Sequence, residues 1–255
     1  MSGWSILFWL IIAFAVMYPL KRWISAHVQG VAFLLTGSRP AAMWIFWALF
    51  VPGTLLHEFS HWLIAKFLRV KTGRFSVWPR PNKKGHLQMG AVQIEVSDPF
   101  RHSLIGLAPL VFGSLAVLII GWVWLNLGQM GAALNTGDLT IIWQTAVKTM
   151  TTPDVWLWLY LIFAISNAML PSPSDREAWS SVLLYLGIAL FLAVGLGLNP
   201  TLSPEVQTFG LVVITYLLYA FAITLAVDLL FVLPILMIEI VFAWVLGRQV
   251  QYNNR

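Results

Sequence analysis

The chain has 255 residues, of which 59% are hydrophobic and only 10% charged, against roughly 25% charged in soluble domains. Such a composition belongs in a bilayer, and the length has room for about six spans of about 20 residues with short connections, but not for a sizeable soluble domain as well. Fifteen Lys and Arg against ten Asp and Glu suit cytoplasmic flanks and anionic lipid rather than nucleic acid, and the absence of cysteine excludes a disulfide framework and a thiolate metal site.

Residues 4–20 are the first apolar run, closed by Lys21 and Arg22. The run lacks the basic start of a cleavable secretory signal and reads as a retained span. Residues 23–38 are mixed and lead into Thr36-Gly37-Ser38-Arg39-Pro40, which predicts an interfacial segment and a turn. Residues 41–70 predict a long helix, with Pro52-Gly53 favouring a kink. This helix carries His57-Glu58-Phe59-Ser60-His61. Positions i and i+4 share a helix face, so both imidazoles can serve one metal while Glu58 lies beside it. Ionisable groups within a span are expensive and are seldom idle.

Residues 71–101 hold six of the fifteen basic residues, with Pro79, Pro81 and a turn-like Asn82-Lys83-Lys84-Gly85. No span fits there. Short alternations over 74–78 and 86–96 predict one or two β-hairpins at the membrane surface. Residues 102–127 form a third span, whose Gly113 and Ser114 permit close helix approach. A polar connection with room for a short surface helix follows over 128–152. The fourth span, 153–170, is broken by Pro171-Ser172-Pro173-Ser174-Asp175, and 178–198 is the fifth. Residues 206–246, about 60 Å if helical, are too long for one simple span and read as one span with a surface extension or as two.

The expected architecture is an α-helical polytopic membrane protein with about six transmembrane helices, a single membrane domain over 1–255. Spans two and four run in the same sense, which brings His57, His61 and Asp175 to one side. With a cytoplasmic N-terminus, eleven basic residues fall inside and four (Lys21, Arg22, Arg39, Lys148) outside. The positive-inside rule therefore places the site toward the cytoplasm.

A catalytic zinc usually keeps three protein ligands and one open position, so His57 and His61 need a third. Asp175 is the leading candidate, because irregular backbone after a broken span is tolerated where it is buried in protein or lines a polar cavity. His86 is the fallback ligand, while His102 reads as a surface residue and His27 as interfacial. Asp228 and Glu239 lie eleven residues apart near one helix face, with no basic partner close in sequence.

The chain resembles the site-2 protease family of intramembrane zinc metalloproteases. The resemblance rests on the His-Glu-x-x-His helix and on a later Asn, Pro and Asp segment, here Asn167-Ala168-Met169-Leu170-Pro171-Ser172-Pro173-Ser174-Asp175, and covers roughly residues 41–185. It implies one Zn2+ held by His57, His61 and Asp175, with Glu58 as general base and Asn167 as a substrate-positioning or polarising residue. This chain departs from the family pattern in Arg176, where the family commonly has Gly, and in Pro171, where the family's proline falls one position earlier. The prenyl-protein type of intramembrane zinc protease shares the motif helix but expects a glutamate-led ligand segment, for which residues after 170 offer no match.

The implied activity is zinc-dependent hydrolysis of peptide bonds in or near the spans of single-span or membrane-anchored proteins. The substrate must unwind locally, and a hairpin edge over 86–96 can hold it as an added strand. Two other readings remain: a non-catalytic relative that binds membrane proteins, and a metal or proton transporter using His57, Asp175, Asp228 and Glu239 as a relay.

Overall fold

The computed structural model describes residues 3–81, 87–88, 90–95, 97–197 and 203–252. Helix α1 spans Gly3–Thr36 and α2 Arg39–Phe67. Four short strands follow: β1 (Thr72–Ser76), β2 (Arg80–Pro81), β3 (Leu87–Gln88) and β4 (Ala91–Ile94). Helix α3 (Pro99–Ile119) continues through a π turn over Ile120–Trp124. The rest is helical: α4 (Leu127–Thr136), α5 (Leu139–Met150), α6 (Val155–Ala168), α7 (Trp179–Gly195) and α8 (Pro204–Leu246).

Four of these, α1, α2, α3 with its π turn, and α8, are long and apolar enough to cross a membrane, and the chain is a helical membrane protein. Large apolar side chains on the outer surface, with Trp4 83%, Phe67 81% and Trp244 85% exposed, suit a hydrocarbon solvent rather than water. The other two apolar helices are shorter. The 14 residues of α6 and 17 of α7 rise about 21 and 26 Å, less than the roughly 30 Å hydrocarbon core.

Two expected boundaries shift. Residues 23–36 stay in the helix, because Ile24, Val28 and Ala32 continue a buried face at a spacing of four and Lys21 finds partners inside the protein instead of marking a span end, while the expected turn falls at Gly37 and Ser38. Residues 206–246 fall in one unbroken helix, capped by Ser203, whose hydroxyl accepts from the Val206 N–H, and closed by Gly247 in the left-handed conformation. The 128–152 connection holds two helices, α4 and α5, where one short helix was expected.

Contacts between helices fix their relative sense. Gly3 lies against Leu211, Phe14 against Phe221, Lys21 against Asp228 and His27 against Glu239, so α1 and α8 run parallel. On α2 and α6 the register advances by four on both helices. The Tyr160 hydroxyl donates to the Leu49 carbonyl at 2.9 Å, Gly53 abuts the Ala164 carbonyl, and the His57 ring meets the Ala168 carbonyl. These two helices are therefore also parallel, as expected of spans two and four. A Cβ at position 53 would collide with the Ala164 carbonyl, so this close approach requires glycine. The core draws Ile24, Phe50, Val117, Ile162, Phe163 and Val227 from five helices into one cluster.

The described strands between α2 and α3 make an irregular hairpin-like segment of two antiparallel pairs. Strand β1 pairs antiparallel with β4, and β2 with β3 nested inside it. Trp47 of α2 anchors the hairpin by donating its indole N–H to the Val77 carbonyl at 2.6 Å and by stacking on Trp78. That anchor holds the hairpin beside the motif helix.

Candidate metal centre

The two motif histidines are held by backbone carbonyls from two other helices. His57 Nδ1 lies 2.7 Å from the Ala168 carbonyl of α6, and His61 Nδ1 lies 2.8 Å from the Ile105 carbonyl of α3. A carbonyl only accepts, so each Nδ1 carries the proton and each neutral ring presents the lone pair of Nε2. This is the tautomer of a metal-binding histidine whose other ring N–H donates to a carbonyl.

Asp175 completes the group from the segment between α6 and α7. Its Oδ1 lies 3.2 Å from His61 Nε2 and its Oδ2 3.7 Å from His57 Nε2, while the two Nε2 atoms are 3.1 Å apart. One ligand atom from each residue lies within 4.8 Å of the others. Three electron-pair donors so close repel one another unless a cation lies among them. A tetrahedral ion about 2.0–2.1 Å from N and O donors would hold them about 3.3 Å apart, a distance the three separations bracket. The residues fit a metal ion.

The Asp175 loop is built by its own sequence. Asp175 Oδ2 accepts from the Ser172 N–H at 2.7 Å, and Ser172 Oγ accepts in return from the Asp175 N–H at 3.3 Å. This reciprocal pair has the form of a capping box but closes the turn that precedes α7, whose own N-cap is Ala178, and its acidic member also faces the histidines. Arg176 turns outward, exposed, and returns to the Ser172 carbonyl, so the departure from glycine leaves Asp175 aimed at the site. The loop also packs on Gly106 of α3, where a Cβ would strike the Asp175 carbonyl.

Helix α6 stops level with His57, whereas α2 continues from His57 to Phe67, about 15 Å further. The carbonyls orphaned at this early end find partners in other helices. Ala168 receives the His57 ring and Ser166 receives the Lys21 ammonium at 2.5 Å.

Glu58, 7% exposed, follows His57 on the same helix, and Gly90, just before β4, packs directly against its carboxylate. A cavity of about 1160 Å³ joins His57, Glu58, His61 and Asp175 to Asn167 and the backbone of β4. All five expected site residues therefore border one space. His102 borders it too, although it was expected at the surface. His86, the fallback ligand, lies outside the described residues.

Lys21 and its network were missed by sequence reasoning. Asp228 is fully buried and pairs with Lys21 at 3.3 Å. Glu239 belongs to a separate cluster, in which His27 Nδ1 approaches it at 2.5 Å and the Tyr252 hydroxyl donates to it at 2.6 Å. His27, expected at the interface, also stacks on Trp23. No shared spacing announces these pairs, since Lys21 and His27 are six residues apart on α1 and Asp228 and Glu239 eleven apart on α8, so only the packing of the two helices brings them together.

No protein-family model matches the chain, and no curated protein or solved structure matches it significantly.

Proposed function

We propose that the chain is an intramembrane zinc-dependent endopeptidase of the site-2 protease type, hydrolysing peptide bonds in or near the spans of membrane-anchored proteins. The observation that carries this reading is the convergence of two carbonyl-tethered histidines and a capped aspartate, with Glu58 beside them in the same cavity.

Three N and O donors without sulfur suit zinc with an open coordination position. Zinc held by His57, His61 and Asp175 would supply Lewis acidity toward a peptide carbonyl and acidify a water molecule. Glu58 takes the proton of the attacking water and returns it to the leaving nitrogen as the C–N bond breaks, giving a carboxylate and an amine. Strand β4 has β1 as its only neighbour in the described sheet, and its Ala91, Val92 and Ile94 border the cavity. An unwound substrate segment can add to this strand through backbone hydrogen bonds, which tolerate varied side chains. The transport reading has weaker support, because Glu239 is engaged with His27 and Tyr252 in a cluster apart from the histidine site.

In this reading the parallel sense of α1 and α8 suits an odd number of crossings, five rather than the six expected from the sequence. Four are the long helices. The short α6 and α7 together make the fifth, broken at the Asp175 loop, as in discontinuous helices that expose a site at membrane depth. The basic residues between Lys66 and Arg101 then lie where α2 ends and α3 begins, on the cytoplasmic side with the N-terminus. With no native cysteine, Ser2→Cys and Gln251→Cys are expected to react with an impermeant maleimide from opposite faces of sealed vesicles. Labelling from the same face would restore six crossings.

The protease reading is tested by metal removal. Dialysis against a strong chelator is expected to abolish cleavage of a synthetic single-span peptide, and stoichiometric zinc to restore it. Cleavage that survives complete removal of metal would overturn the reading.

A further inference from the structure

Asn167 lies on the last turn of α6 and borders the cavity. Its amide nitrogen donates to the Phe163 carbonyl at 2.8 Å and to Asp228 Oδ1 at 3.0 Å. Both N–H bonds are therefore spent. Reversing the amide would set its oxygen against two acceptors, so the orientation is fixed by the network. The remaining polar atom, Asn167 Oδ1, is buried with no hydrogen-bond partner. A buried acceptor is costly to leave unpaired, and this one can be satisfied only by a donor.

The element that fixes the amide comes from the far end of the sequence. Asp228 on α8 is fully buried, and Lys21 on α1, itself only 6% exposed, balances its charge. Burying such a pair is expensive in desolvation and is weak evidence for a stabilising role alone. The pair reaches the cavity through the Asn167 amide.

We infer that Asp228 is a positioning residue for the substrate: it holds the Asn167 amide so that Oδ1 accepts a hydrogen bond from a backbone N–H of the unwound polypeptide. The inference rests on the protease reading and deepens it. It assigns Asn167 an acceptor role and removes the alternative of polarising a carbonyl, for which the amide has no free N–H. A helical segment keeps its N–H groups in its own hydrogen bonds, so this acceptor selects chain that is already extended beside β4.

Two paired substitutions isolate the acceptor without leaving a lone buried charge. Lys21→Met/Asp228→Leu removes it, and Lys21→Met/Asp228→Asn keeps an oxygen for the Asn167 amide. On a synthetic single-span peptide, the leucine pair is expected to raise KM about tenfold with little change in kcat. Zinc content should stay the same, and the asparagine pair should bring KM back toward that of the parent protein. Asn167→Leu provides a second route should the leucine pair fold poorly. It is expected to raise KM by a similar factor, and adding the Lys21 and Asp228 changes to it should cost nothing more. Equal KM for the two pairs, or additive effects with Asn167→Leu, would overturn the positioning role while Glu58-dependent cleavage left the protease reading standing. Cleavage by the parent protein that does not depend on Glu58 would overturn the protease reading and this inference with it.

Discussion

Replacing Glu58 with Gln is expected to lower kcat on a single-span peptide about 10²–10⁴-fold, the range spanned by a positioned general acid–base. The substitution keeps size and shape, so Gly90 and the α2 helix packed around the side chain need not move. It removes only the ability to take a proton from water and return it to the leaving nitrogen. KM should change little, because Glu58 acts in the transition state rather than in holding the chain. Zinc content should also be unaffected, since the two histidines and Asp175 make up the donor group. Equal turnover by Glu58→Gln would sink the protease reading and leave a metal-binding membrane protein without hydrolytic chemistry.

Asp175→Ala is expected to weaken zinc binding by at least about 100-fold, more than the roughly 10–100-fold typical of groups that only orient a ligand, and to take activity with it. Two separate losses contribute. The histidines lose the anionic donor 3.2 Å from His61, and the loop loses the acceptor that holds the Ser172 N–H at 2.7 Å. Asp175→Asn separates them, since its carbonyl oxygen can still close the capping box but brings no negative charge to the metal. With metal removed from all three proteins, the asparagine variant should unfold at nearly the parent temperature and the alanine variant below it, while both variants bind zinc poorly. Retention of one zinc per chain by Asp175→Ala would remove it from the ligand set. Metal content of the purified protein and thermal unfolding in detergent read the two effects independently.

The motif helix was legible because its information is local. The i, i+4 spacing of His57 and His61 already places both rings on one face. The segment from Asn167 to Asp175 was legible for a similar reason: prolines and small polar residues cannot continue an apolar helix, although the reciprocal Ser172–Asp175 hydrogen bonds that shape the loop were not foreseen. The hairpin was foreseen from its alternation, although its bulged register between Thr72 and Phe75 was not. Lys21 shows the opposite case. After a run of apolar residues, Lys21-Arg22 reads as the end of a span, because in isolation a lysine reaches for the interface. In the folded protein its ammonium meets Asp228 and the Ser166 carbonyl, and α1 continues to Thr36.

Composition and short-range pattern thus determined the apolar, helical character of the chain and brought forward His57, Glu58, His61, Asn167 and Asp175 as site candidates, because solvent preference and helical phase are properties of neighbours in sequence. Helix sense and pairing came only with packing. The parallel contact of α1 with α8, the carbonyl tethers on His57 and His61, and the Lys21–Asp228 support of Asn167 each join residues far apart in the chain. Nothing in a local window specifies which buried donor meets which buried acceptor. That choice is made when the helices close on one another and every polar group deprived of water must find a partner within the protein.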